Sequence, residues 1–144
     1  MIQKYKIATI LPYKENYTFR KAQAAAIWVN DFFKYSKFKD DNYIFGNTNS
    51  RDYLTKNYIN VPLKNINYKF SSTSTEYCDN FIKLEKNYNF DLIEIHNRPL
   101  IFKYLKEKIN KKFILYFHND PQSMKGSKTL SERIFLLKNV DKLI

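Results

Sequence analysis

Three short runs, "KIATILPY" (Lys6 to Tyr13), "DLIEIHN" (Asp91 to Asn97) and "KFILYF" (Lys112 to Phe117), constrain this chain most. Each is apolar at nearly every position rather than at alternate ones, so strands built from them have no face to offer to water. The segments between them change period. "TFRKAQAAAIWVNDFFKYSK" (Thr18 to Lys37) puts Ala22, Ala25, Ala26, Val29, Phe32 and Phe33 on one helical stripe. A capping box at Thr73 and Glu76 opens a helix carrying Tyr77, Phe81, Leu84 and Tyr88. Pro99 opens another, with Ile101, Leu105 and Ile109, and a second capping box, Thr129 with Glu132, leads into Ile134 and Leu137. "NYIFGN" (Asn42 to Asn47) adds a strand, Tyr58 to Val61 a short one, and "VDKLI" begins a last apolar run. Buried strands alternating with helices predict a three-layer α/β domain with a mainly parallel sheet covered on both sides.

The 144 residues suit a single domain. Hydrophobic residues make up 44% and aromatics 17%, which argues against a chain too polar to fold. Lys and Arg outnumber Asp and Glu by 25 to 14, a formal net charge of +11. That excess attracts nucleic acid, an anionic membrane surface or phosphorylated small molecules alike. The abundance of Lys, Asn, Ile, Tyr and Phe is also what AT-rich coding produces without any partner. Cys78 is the only cysteine and cannot form an internal disulfide. "MIQKYKIATILPYK" carries no small-residue cleavage signal, and no run reaches the ~18 apolar residues of a membrane span. A cytoplasmic location is expected, with peripheral contact between the basic surface and the inner face of an anionic membrane left open.

In a parallel sheet, ligands bind beyond the carboxyl ends of the strands. Three segments meet that condition: Pro12 to Arg20, His96 to Arg98, and His118 to Lys128. The first, "PYKENYTFR", has no glycine, which rules out the G-x-G-x-x-G turn of a dinucleotide site, and no P-loop occurs. There is no G-x-S-x-G elbow, C-x-x-C or H-x-x-x-H. What remains is a pair of alike strand ends, "EIHNRP" and "YFHNDP". Asn, Asp and Pro are ordinary turn residues. A histidine at both ends is harder to reduce to punctuation, since imidazole, amide and carboxylate all hydrogen-bond sugar hydroxyls.

"DLIEIHNRP" before a helix, then "KFILYFHNDPQSMKGSKT", a helix and "NVDKLI", resembles the N-terminal half of family 4 glycosyltransferases of the GT-B type. The resemblance implies a Rossmann-like domain, one half of a GT-B fold, that holds the acceptor of a retaining glycosyltransferase. The other half would grip the nucleotide sugar. It further implies that His118 faces the reaction centre and acts in catalysis, with no metal and no cofactor beyond the nucleotide-sugar substrate. The neighbouring Tyr13, Lys14, Arg20, His96, Asn97, Arg98, Asn119, Asp120 and Lys125 become substrate-binding candidates by position. Two departures stand out. The first turn lacks the family's glycines, so Lys14 or Arg20 would have to take over that contact. The E-x7-E pair of the donor-binding domain is also missing: Glu76, Glu85 and Glu94 are spaced by nine. Residues 1–144 are therefore expected to be the N-terminal domain alone, inactive without its donor-binding partner.

Two other readings stay open. A stand-alone basic α/β module could bind a phosphorylated small molecule. Twelve Tyr and twelve Phe among many Lys could serve single-stranded nucleic acid, although aromatics at helical spacing belong to a core and a nucleic-acid partner is not expected. If His118 lies at the cleft between the two halves, its ring is expected to be at least partly solvent-accessible and its removal to change the melting temperature little. A buried ring bonded to backbone would instead mark a structural role.

Overall fold

The computed structural model describes residues 4–64 and 72–144. Its six strands are β1 (Ile7–Ile10), β2 (Asn42–Gly46), β3 (Tyr58–Asn60), β4 (Leu92–His96), β5 (Lys112–Tyr116) and β6 (Lys142–Leu143). They form one sheet in the order β3-β2-β1-β4-β5-β6, with every pairing parallel. The most apolar run, β1, lies at the centre, flanked by β2 and β4 with Ile7 opposite both Asn42 and Leu92. All four of its residues are buried.

The helices divide between the two faces. Helices α2 (Thr73–Tyr88), α3 (Pro99–Lys108) and α4 (Leu130–Asn139) pack Tyr77, Phe81, Ile101, Phe102, Leu105 and Leu136 onto Ala8, Ile10, Phe45, Ile93, Ile95, Phe113 and Leu115. On the other face α1 (Ala24–Tyr35) sets Ala26 and Val29 against Leu11, Ile44 and Tyr58. The strand residues of the two clusters alternate, as a pleated sheet requires. This is the expected three-layer α/β domain.

Five expectations shift in detail. The helix expected from Thr18 begins at Ala24, because Thr18 takes the amide of Lys21 and residues 16–22 form a bridged turn. Gln23 at the N-cap supplies no side-chain bond. Instead Glu15 reaches across and accepts the Ala26 amide at 2.9 Å, and burial raises the pKa of its carboxyl. Phe32 is 49% exposed rather than part of the buried stripe, which Asn30 joins. At α2 the N-cap is Ser72, not Thr73: Ser72 Oγ accepts the Thr75 amide, while Glu76 is occupied by the Lys64 amide. The box at Thr129 and Glu132 forms as expected, yet α4 buries Leu136 and leaves Ile134 and Leu137 exposed. Finally, the last strands are not equally covered. β5 alternates buried Phe113 and Leu115 with half-buried Ile114 and Tyr116, because α1 lies over β1 and β2 and reaches this side only through Trp28.

Candidate functional site

At the carboxyl edge the chain leaves β4 through Asn97, which has φ +54°, a conformation asparagine tolerates better than most residues. That turn lets Asn97 tie two strands together. Its amide donates to the Tyr116 carbonyl and its Oδ1 accepts the His118 amide, each at 2.8 Å. Arg98 folds back so that Nη1 donates to the Asn97 carbonyl, and Pro99 starts α3 in the one position where its missing N–H costs nothing.

After His118 the chain makes a short 3₁₀ turn over Pro121–Ser123, capped by Asp120, whose Oδ1 accepts the Gln122 amide. It then presses against the first turn of α3 at Gly126. Here φ is +95°, and a Cβ would sit 2.8 Å from the Leu100 nitrogen, so this approach requires glycine. The result is a pocket of about 330 Å³ lined by residues from all three loops. Tyr13 and Lys14 come from the first, Asn97 and Arg98 from the second, and Ser123, Met124 and Lys125 from the third. Ser74 of α2 and the first turn of α3 complete the lining. Among the described residues three cations line it and no carboxylate does.

At the same edge, but outside the lining of this pocket and on the α1 side of the sheet, lies a cluster of rings. The His96 and Tyr116 rings are parallel at 4.8 Å, and His118 lies edge to edge with His96, nearly coplanar, with centroids 5.1 Å apart. Trp28 of α1 leans over all three at 5.1–5.7 Å. His96 Nδ1 and His118 Nε2 are 2.8 Å apart. Burial, with His118 as the second cause, holds the His96 pKa down at about 3, and burial lowers that of His118 as well. Both rings are therefore neutral near pH 7.

Of the sequence-derived candidates, Tyr13, Lys14, Asn97, Arg98 and Lys125 converge on the pocket. Arg20 does not; it lines a separate hollow with Thr18, Lys21, Ser50, Arg51 and Asp52. His96 is only 1% exposed and stands behind His118 rather than beside a ligand. Asn119 is exposed, and Asp120 serves the turn. His118 is half-buried, in keeping with a partly accessible strand-end residue, and it is also bonded to the buried His96 ring. Sequence reasoning missed Ser74, Ser123, Met124 and above all Trp28, the chain's sole tryptophan, which was a signal in itself. It also missed a buried polar contact in the sheet, where Thr9 Oγ1 lies 2.9 Å from Asn42 Oδ1 and 3.1 Å from Glu94 Oε2. Burial raises the pKa of Glu94 there.

No protein-family model matches the chain, and no curated protein does. Among solved structures the chain is similar to a sucrose-phosphate synthase from Thermosynechococcus elongatus, with a TM-score of 0.64 at 16% identity. The match covers 96% of this chain and 41% of that one. The fold is thus a Rossmann-like α/β domain, similar to part of that synthase. No helix among the described residues is long and apolar enough to cross a membrane.

Proposed function

We propose that this chain is the acceptor-side half of a retaining glycosyltransferase and that the pocket at the carboxyl edge receives an acceptor bearing a phosphate. The observation that carries the reading is the pocket lining: Lys14, Arg98 and Lys125 share it with Tyr13, Asn97 and Ser123, and among the described residues no carboxylate joins them. Cations together with hydroxyl and amide groups fit a phosphorylated polyol better than a bare sugar. The first turn of α3 lines the same space, and its positive end favours an anion. In this reading His118 stands at the rim toward a donor sugar held by a second domain, and no metal or further cofactor takes part. Such a protein would work in the cytoplasm, and its basic surface would allow contact with an anionic membrane.

Calorimetry tests this directly. A hexose 6-phosphate or vesicles of anionic phosphatidylglycerol should bind, with the two arms separating a soluble acceptor from a lipid headgroup. The free hexose and phosphatidylcholine vesicles should bind at least about tenfold more weakly. UDP-glucose alone should bind weakly or not at all. Equal binding of hexose and hexose phosphate with no binding to either vesicle would overturn the anionic acceptor. Transfer from UDP-glucose by residues 1–144 alone would overturn the half-enzyme reading.

A further inference from the structure

We propose that His96 is a positioning residue whose buried ring fixes His118 as a neutral imidazole with its single proton on Nδ1, the nitrogen not bonded to His96. The 2.8 Å contact between His96 Nδ1 and His118 Nε2 holds one proton, and the distance alone does not say which ring owns it. The other nitrogen of His96 decides. Nε2 is buried and has no hydrogen-bond partner among the described residues. A neutral imidazole carries one N–H. If His118 donated, His96 would have to carry its proton on Nε2 and strand a buried donor, the rarer and more costly defect in folded proteins. If His96 donates from Nδ1, its Nε2 is only an unused lone pair. His118 Nε2 is then the acceptor, and the proton of His118 is on Nδ1.

The surroundings hold the His96 ring in this role. It is stacked at 3° on Tyr116 and crossed by Trp28, and at 1% exposure it has no room to reorient toward water. His118 is less confined by burial, but its backbone amide is fixed by Asn97, so its ring leaves the sheet from a set point.

The catalytic meaning of this arrangement rests on the transferase reading; the tautomer itself does not. In glycosyl transfer a neutral Nδ1–H can donate to a sugar hydroxyl while adding no positive charge beside the electron-poor anomeric carbon of the transition state. A charged imidazolium could not.

Long-range proton–nitrogen NMR correlation on the 144-residue chain with labelled histidines reads both rings at pH 7.5 without any substrate. Both are expected to show a protonated Nδ1 and a bare Nε2. His96→Phe should release His118 toward the Nε2–H form that a free histidine side chain prefers. His96→Gln, whose amide can donate to the same nitrogen, should keep His118 protonated on Nδ1. An Nε2–H on His118 in the wild type overturns the proposal, as does an unchanged His118 tautomer in folded His96→Phe. Should His96→Phe fail to fold, the wild-type spectrum and His96→Gln still decide. Failure of the transferase reading would appear instead as absence of ligand binding, with the tautomer intact.

Discussion

His96 ends β4 and His118 follows the end of the adjacent β5 by two residues, in near-identical sequence contexts, yet burial separates their roles. His96 is enclosed, so its proton chemistry is tied to folding. Its folded pKa of about 3 lies below the ordinary value of 6.5. The unfolded chain therefore binds a proton first as pH falls, and stability present above pH 6.5 is lost between 6.5 and 3. The loss should be roughly 1.4 kcal/mol per pH unit within that window. Glu94 and Glu15, with pKa values raised by burial, oppose this slope in the wild type. The measurable quantity is thus the difference between wild type and His96→Phe in urea titrations at pH 7, 6 and 5. That difference should shift in favour of the variant on acidification, and a pH-independent gap would contradict the neutral buried ring. His118→Ala strands the His96 Nδ1 donor, so it should cost about 1–3 kcal/mol of stability, well beyond what an exposed strand end would cost. An unchanged melting temperature would show that the bond between the rings carries no weight.

The strands were legible because "IATI", "LIEIH" and "KFILY" are apolar at nearly every position, although only β1 is buried throughout and β4 and β5 each keep partly exposed positions. The parallel edge followed from them, and with it the convergence of Tyr13, Asn97 and Arg98. Helix faces were harder to read. Phe32 lies on the flank of the α1 stripe, where its fate depends on whether anything covers β5, and periodicity cannot report that. The N-cap of α2 fell on Ser72, within the run of five hydroxyl residues from Ser71 to Thr75, while Glu76 was taken by the Lys64 amide. Trp28 joins the site only through the pairing of β4 with β5, a long-range fact. Gly126 is where one element depends most on another. Gly126→Ala must both hold φ +95° and push back the first turn of α3. It should therefore lower stability by about 1–3 kcal/mol in denaturant titration, and it should weaken ligand binding in the pocket. A change within a few tenths of a kcal/mol would contradict so close an approach of the loop to the helix.

As a whole, the molecule is a six-stranded parallel domain that spans 41% of the length of the solved synthase it matches. Its excess of 11 positive charges is spread over a chain whose described lysines lie mostly at the surface, so charge alone does not mark a site. What distinguishes the carboxyl edge is convergence: three loops bring Lys14, Arg98 and Lys125 to one pocket with Tyr13, Asn97 and Ser123, and a neutral histidine pair lies at the same edge. Amide NMR of the labelled chain, titrated with a hexose 6-phosphate and in parallel with phosphatidylglycerol-containing nanodiscs, tests that claim most directly. In at least one arm the account predicts saturable shifts confined to Tyr13, Lys14, Asn97, Arg98, His118 and Ser123 to Lys125, weakened about tenfold or more in Arg98→Ala. Shifts centred on the Arg20 hollow, or scattered over the lysine-bearing surface and abolished by modest salt, would contradict it.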